Sequence, residues 1–181
     1  PLLSVLQMLN FVHCFRCVVV LQALKRGVAG VGGDVIWYQP PDLTNDDATD
    51  PAAHVVILYV MSVVAFHVDL PYNEEFILAG TDAKLAIVFG EKSKNVKLIP
   101  FVKFEAANPQ KLPGAPTQDT GKSIAWMVTS GELKSFYKKA WSLLEGFRKC
   151  SDEQCECLPT TIDDGNGGYH KQPVMCSGDR T

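Results

Sequence analysis

Positive charge is scarce in this chain and scattered along it. The 17 lysines and arginines are outnumbered by 20 acidic residues, leaving a net charge of −3 and an isoelectric point near 5.8. No basic cluster with interleaved aromatics occurs, which sets nucleic acid aside as a partner. No complete phosphate loop occurs either. In "APTQDTGKS" the motif GxxxxGK[ST] needs glycine where Pro116 stands. The glycines of "GVAGVGGD", residues 27–34, are followed by no helical pattern, so they read as a flexible turn and not as a dinucleotide loop. No Ser/His/Asp set or carboxylate pair emerges from spacing, and hydrolase or kinase chemistry lacks support. "DDGNGG", residues 163–168, has Ile162 and Pro173 at the first and twelfth ligand positions of a calcium loop, and reads as a turn. There is no repeat period. No cofactor and no metal site is expected.

A clean signal peptide is also missing. No basic residue precedes the first apolar run, and no small-x-small site directly follows it. Methionine does not open the chain; Pro1 does, so a processed form or a fragment is expected.

What is present points to a packed domain. The 181 residues suffice for one domain and a tail, and 46% hydrophobic content is typical of a globular core. We expect one α/β domain over residues 1–148 and a loop-rich, cysteine-containing tail over 149–181. Residues 2–24 are apolar and long enough to span a bilayer, and they end at Lys25-Arg26. Gln7, Asn10, His13 and Arg16 interrupt them at mid-span, where polar groups are costly. Membrane association through residues 2–24 is one candidate; a helix with apolar residues at spacings of three and four is the other. Residues 52–68 form a second apolar run, dense in β-branched residues, read as one or two buried strands; a two-span membrane protein is the alternative.

Further along, "DVIWYQ" predicts a strand and "PPDLTNDDATDP" an exposed acidic loop. "LPYNEEFILAG" predicts a short helix ending at Gly80. "KLAIVFG-EKSKN-VKLIPFVKFE" predicts a β-hairpin, with Pro100 marking an edge strand or a special peptide geometry. Residues 105–121 read as a Pro- and Gly-rich loop. Thr129 and Glu132 have capping-box spacing, and Leu133, Phe136, Tyr137, Ala140, Leu144 and Phe147 form the apolar stripe of a long helix. His54 and His67 are expected in strands with satisfied imidazoles.

Six cysteines stand in two groups: Cys14 and Cys17, then Cys150, Cys155, Cys157 and Cys176. The concentration in the tail favours disulfides and an oxidising compartment, secreted, luminal or at the cell surface, with reduced thiols as the alternative. Sequence does not choose among the pairings. Cys14-x-x-Cys17 is half of a zinc site, but Cys155-x-Cys157 is too tight to complete it, even with His13 and His170 nearby in type.

The order of elements from residue 58 resembles the second half of a thioredoxin-like domain. "VVAFHVDLPYNEEF" looks like that family's third strand and following helix, "KLAIVFGEKSKNVKLIPF" like its terminal hairpin, and "SGELKSFYKKAW" like the start of its last helix. The resemblance covers about half the chain. It implies a mixed sheet flanked by helices, with an irregular cysteine-containing tail. It also implies that Cys14 is a nucleophile and Cys17 a resolving thiol, a spacing that lets two sulfurs bond at a helix start where a thiol pKa is lowered. Thr81-Asp82 stands where the family places a cis-proline; Pro100 becomes that binding residue if the hairpin is read differently, with a very short helix before it. The expected function is thiol–disulfide exchange or redox-linked binding, with a protein as partner. The alternatives are a non-enzymatic accessory subunit and a disulfide-stapled surface interaction protein.

Overall fold

The computed structural model describes residues 18–70, 79–81, 85–86, 96–105, 120–149 and 160–172. All six cysteines, and with them the candidate C-x-x-C pair Cys14 and Cys17 and the candidate disulfide residues, lie outside these ranges.

The chain is mixed α/β, as expected. Among the described residues, eight strands form one sheet: β1 Asp34–Gln39, β2 Val56–Val60, β3 Ala79–Thr81, β4 Leu85–Ala86, β5 Lys97–Glu105, β6 Thr120–Thr129, β7 Thr160–Asp163 and β8 Tyr169–Gln172. Their order is β3-β5-β6-β2-β1-β8-β7, with β4 also on β5. Every described strand pair is antiparallel, where the thioredoxin-like resemblance implies a mixed sheet. The α-helices among the described residues flank the sheet: α1 over residues 18–30, α2 Val63–Asp69 and α3 Lys134–Lys149.

All five residues of β2 are buried. A strand that is apolar at every position needs both its faces covered. On one face Val56, Leu58 and Val60 pack with Phe66 of α2 and with Phe136, Ala140, Leu144 and Phe147 of α3. On the other, Ile57 and Tyr59 pack with Leu21 and Val28 of α1. Each fully buried side chain of this size stabilises the fold by about 1.5–3 kcal/mol.

Two irregularities feed the first face. The register of β1 against β2 skips Ile36, and that of β6 against β5 skips Ile124. Each extra residue is a bulge, and a bulge lets two successive side chains point the same way. Ile36 with Trp37, and Ile124 with Ala125, therefore enter the same core. Trp37 meets Phe136 edge-on at 6.1 Å, and Phe101 of β5 meets Trp141 at 4.9 Å.

Several elements differ from the expectations. "VVAFHVD" is helix and not strand. Ser62 is extended, and its Oγ accepts from the Ala65 N–H at 3.2 Å, which caps the helix start. Two of its valines then face solvent. Ala79 and Gly80, expected at a helix end, lie in β3, where Gly80 pairs with Val102. The expected β-hairpin has its pairing at Leu85–Leu98 and Ala86–Lys97. Residues 120–129 form a long central strand that the sequence pattern did not announce; Gly121, Lys122 and Ser123 of the phosphate-loop lookalike belong to it. Thr129 does not cap α3 in a box: its Oγ1 accepts from the Gly131 N–H, while Glu132 pairs with Lys97 and Tyr137. Helix α1 runs through Gly27 and Gly30, so the turn is confined to residues 31–33.

The segment expected to be loop-rich contributes β7 and β8. Their connecting turn is "DDGNGG", in which Asp164 Oδ1 accepts from the Asn166 and Gly168 N–H groups at 2.9 Å. The hairpin joins the domain by pairing Trp37 with His170 and Tyr38 with Tyr169.

The α1–β1 turn is packed against the end of β2. A Cβ on Gly33 would lie 2.3 Å from the Val60 carbonyl oxygen and 2.6 Å from that of Met61. Backbone atoms cannot yield as side-chain ends do. Gly33→Ala is therefore expected to destabilise the fold by about 1–3 kcal/mol. Gly27→Ala, with nothing within 4 Å of the added Cβ, is expected to stabilise α1 by about 0.5–1 kcal/mol. Urea unfolding midpoints check both, and equal midpoints would refute the close approach at Gly33.

Candidate functional site

Of the residues singled out by sequence, Pro100 is described. It lies inside β5, buried, opposite Trp126 of β6. On the outer side, β3 pairs up to Phe101 and β4 from Leu98, so Pro100 falls between two short partners where a missing N–H costs little. No cis peptide bond occurs among the described residues, which corrects the cis-proline role for Pro100. Residues 18–24 of the candidate membrane segment belong to α1 and turn Leu21 onto the sheet. No helix among the described residues is long and apolar enough to cross a membrane.

The histidines separate into two kinds. His54 precedes β2 in the loop and is fully partnered. Its Nε2–H donates to the Ala48 carbonyl at 2.9 Å, which leaves Nδ1 to accept from the Ser130 hydroxyl at 3.3 Å. Ser130 Oγ also accepts from the Val55 N–H. A Cβ on Gly131 would come within 2.4 Å of the imidazole, so the ring is wedged against that backbone. The Ser–His pair is a clamp between the 40–55 loop and the β6–α3 turn. His67, by contrast, sits in α2 and not in a strand. Its ring stacks on Phe147 at 5.3 Å, and its Nδ1 is buried with no partner among the described residues. Burial pushes its pKa below the ordinary histidine value.

The acidic loop is organised by its own carboxylates. Asp42 Oδ1 accepts from the hydroxyl and N–H of Thr44, and Asp47 Oδ1 does the same with Thr49. The threonine hydroxyls hold both acids below the usual carboxylate range. Asp50 caps the short 3-10 helix Pro51–Ala53. A groove of about 700 Å³ runs between this loop and the β7–β8 turn, past Asp42, Asp50 and Asp164. Among the described residues no group of acids, histidines and cysteines is placed to hold a metal ion.

Two features that sequence spacing does not reveal meet at the α1–β1 turn. The first is an exposed apolar row. The Gly32 carbonyl accepts from the Val63 N–H at 2.8 Å, joining the end of α1 to the start of α2. This brings Val31, Met61, Val64 and Val68 to the surface, 58%, 48%, 72% and 71% exposed. Ala65 is exposed between them, and Asp69 turns away to pair with Lys122 at 2.6 Å. The outward face of α2 thus carries no charge.

The second feature is a recess of about 350 Å³ on the opposite face of the sheet, between α1, β1 and β8. Lys171 pairs with Asp34, whose Oδ1 also accepts from the Val35 N–H. The Lys25 ammonium lies 4.2 Å from the centre of the Tyr169 ring. The Tyr169 hydroxyl is buried with no partner among the described residues. Burial, and then the charge of Asp34, push its pKa up to about 12, so it remains an O–H donor at neutral pH.

The position of His67 has a measurable consequence. A histidine whose folded pKa is depressed contributes no penalty above its unfolded value of about 6.5, and destabilises as pH falls through that value. His170, depressed by burial and by Lys139, acts in the same direction. His67→Phe retains the stacked ring and removes one of these groups. Thermal midpoints at pH 8 and pH 5 are expected to differ less in the variant than in the parent chain; an unchanged difference would refute the assignment to His67.

No family model, curated protein or solved structure matches the chain, so the reading of this surface rests on its own geometry.

Proposed function

We propose that the chain is a non-catalytic interaction domain that binds another protein through the row Val31, Met61, Val64 and Val68. The observation that carries this is the exposure of four large apolar side chains, two on the uncharged outward face of α2 and two on segments that a backbone hydrogen bond joins at its start. Contiguous exposed apolar surface marks protein contacts, whereas scattered single residues do not. The complementary surface is apolar and carries few charges at its centre, since a partner's ion would lose water there with nothing to replace it. The other reading, a thioredoxin-like domain exchanging disulfides at Cys14 and Cys17, draws support from their spacing and from an antiparallel β4–β5 pair followed, after β6, by a long amphipathic helix.

A photo-crosslinking side chain at Val64 tests the first reading, with one at Lys138 on exposed α3 surface as the control. A discrete protein adduct is expected from position 64 alone, and Val68→Asp is expected to weaken it by about tenfold or more. Because Val68 is exposed, the same change should alter folding stability by only about 0.5 kcal/mol. Equal crosslinking from both positions would defeat the proposal, and an adduct with a second copy of this chain would redirect it to self-association.

A further inference from the structure

We propose that the recess between α1, β1 and β8 binds a small organic monocarboxylate, held by the Tyr169 hydroxyl and the Lys25 and Lys171 ammonium groups. A buried hydroxyl without a partner costs about 1–3 kcal/mol, and native structures rarely leave one so. The Tyr169 O–H is such a group, and the Tyr169 side chain lines a recess that Lys25 and Lys171 also line. An acceptor supplied by a ligand completes it.

Charge selects the class of ligand. Lys25 and Lys171 bring two positive charges and Asp34 one negative charge, while Tyr169 stays neutral. The surplus is a single positive charge, which a monocarboxylate matches. A phosphate dianion would carry a second negative charge toward Asp34 with no cation left to meet it. Size and lining define the rest. At about 350 Å³ the recess is far larger than a water site and lies at the small end of organic ligand pockets. Ala29, Val35 and the Tyr169 ring supply apolar wall. A carboxylate on a compact apolar body, aromatic or branched aliphatic, fits both parts.

Lys25 has a second task. It is exposed, and its ammonium lies over the Tyr169 ring on the wall of the recess. On binding, it moves from the ring face to the incoming carboxylate, exchanging a cation–π contact for a charge-assisted hydrogen bond. The assignment is independent of the apolar row, which lies beyond the α1–β1 turn and shares no side chain with the recess.

Titration of the intact chain with benzoate, followed by amide chemical shifts, tests the site. Saturable shifts confined to Gly33, Asp34, Val35 and β8 are expected at millimolar concentrations. Tyr169→Phe keeps the ring and removes the donor, and should weaken binding about tenfold, the effect of one hydrogen bond to a charged group. Lys25→Met keeps the aliphatic stem and should weaken it as well. Val64→Asp should leave benzoate binding unchanged, which separates failure here from failure of the protein-docking surface. Unsaturable shifts, shifts spread over the whole surface, or equal affinity in Tyr169→Phe would overturn the assignment. Inorganic phosphate binding as tightly as benzoate would overturn the choice of a monocarboxylate.

Discussion

The burial of β2 on both faces is the constraint from which the rest of the architecture follows. A five-residue strand with no polar position cannot border solvent, so helices must lie on each side of it. The two sides are unequal. Among the described residues, two helices and the doubled side chains at the β1 and β6 bulges fill one face, and α1 covers the other. Helix α1 contributes only a narrow stripe, Leu21, Leu24 and Val28. Beyond this stripe Tyr169 and Lys171 of β8 line the recess between α1, β1 and β8.

That asymmetry explains why both proposed binding features adjoin the same turn. Gly33 brings α1 onto the end of β2 with no room for a side chain, which fixes where the helix ends. On one side of that point α1 hands the chain to β1 and leaves the recess beneath it. On the other, Gly32 receives the first amide of α2 and holds its valines outward. A single close approach of backbone to backbone thus positions a polar recess and an apolar surface.

Sequence pattern was most informative where one element satisfied itself locally. The strand β1 has the predicted limits, the α3 stripe is buried as its spacing requires, and "DDGNGG" is a turn held by its own aspartates. Pattern failed where distant parts decided the outcome. In α2 the valines favour a strand, and a single serine cap with a neighbouring sheet reverses that preference. In β6 the bulge at Ile124 breaks the alternation that would mark a strand, and the preceding Gly-Lys-Ser reads as loop. Strands β7 and β8 have too little apolar content to predict; β8 is held by pairing with β1, and β7 by pairing with β8. The recess was illegible for the same reason. Lys25, Asp34, Tyr169 and Lys171 are ordinary surface residue types with no shared spacing, and the Asp34–Lys171 pair closes across 137 positions.

The pairing of β1 with β8 also has a consequence in time. Ribosomal synthesis delivers β1 and β2 well before β6 and β8, yet the partners of Trp37 and Tyr38 are His170 and Tyr169 of β8. Local contacts form first, and pairings this remote are slow to close. While the chain emerges, β1 and β2 can form a two-stranded ribbon whose outer edges are both open and whose residues are almost all apolar. Such a ribbon is a template for any other extended chain. Strands β7 and β8 are short and polar, follow β6 in the chain, and close that edge of β1.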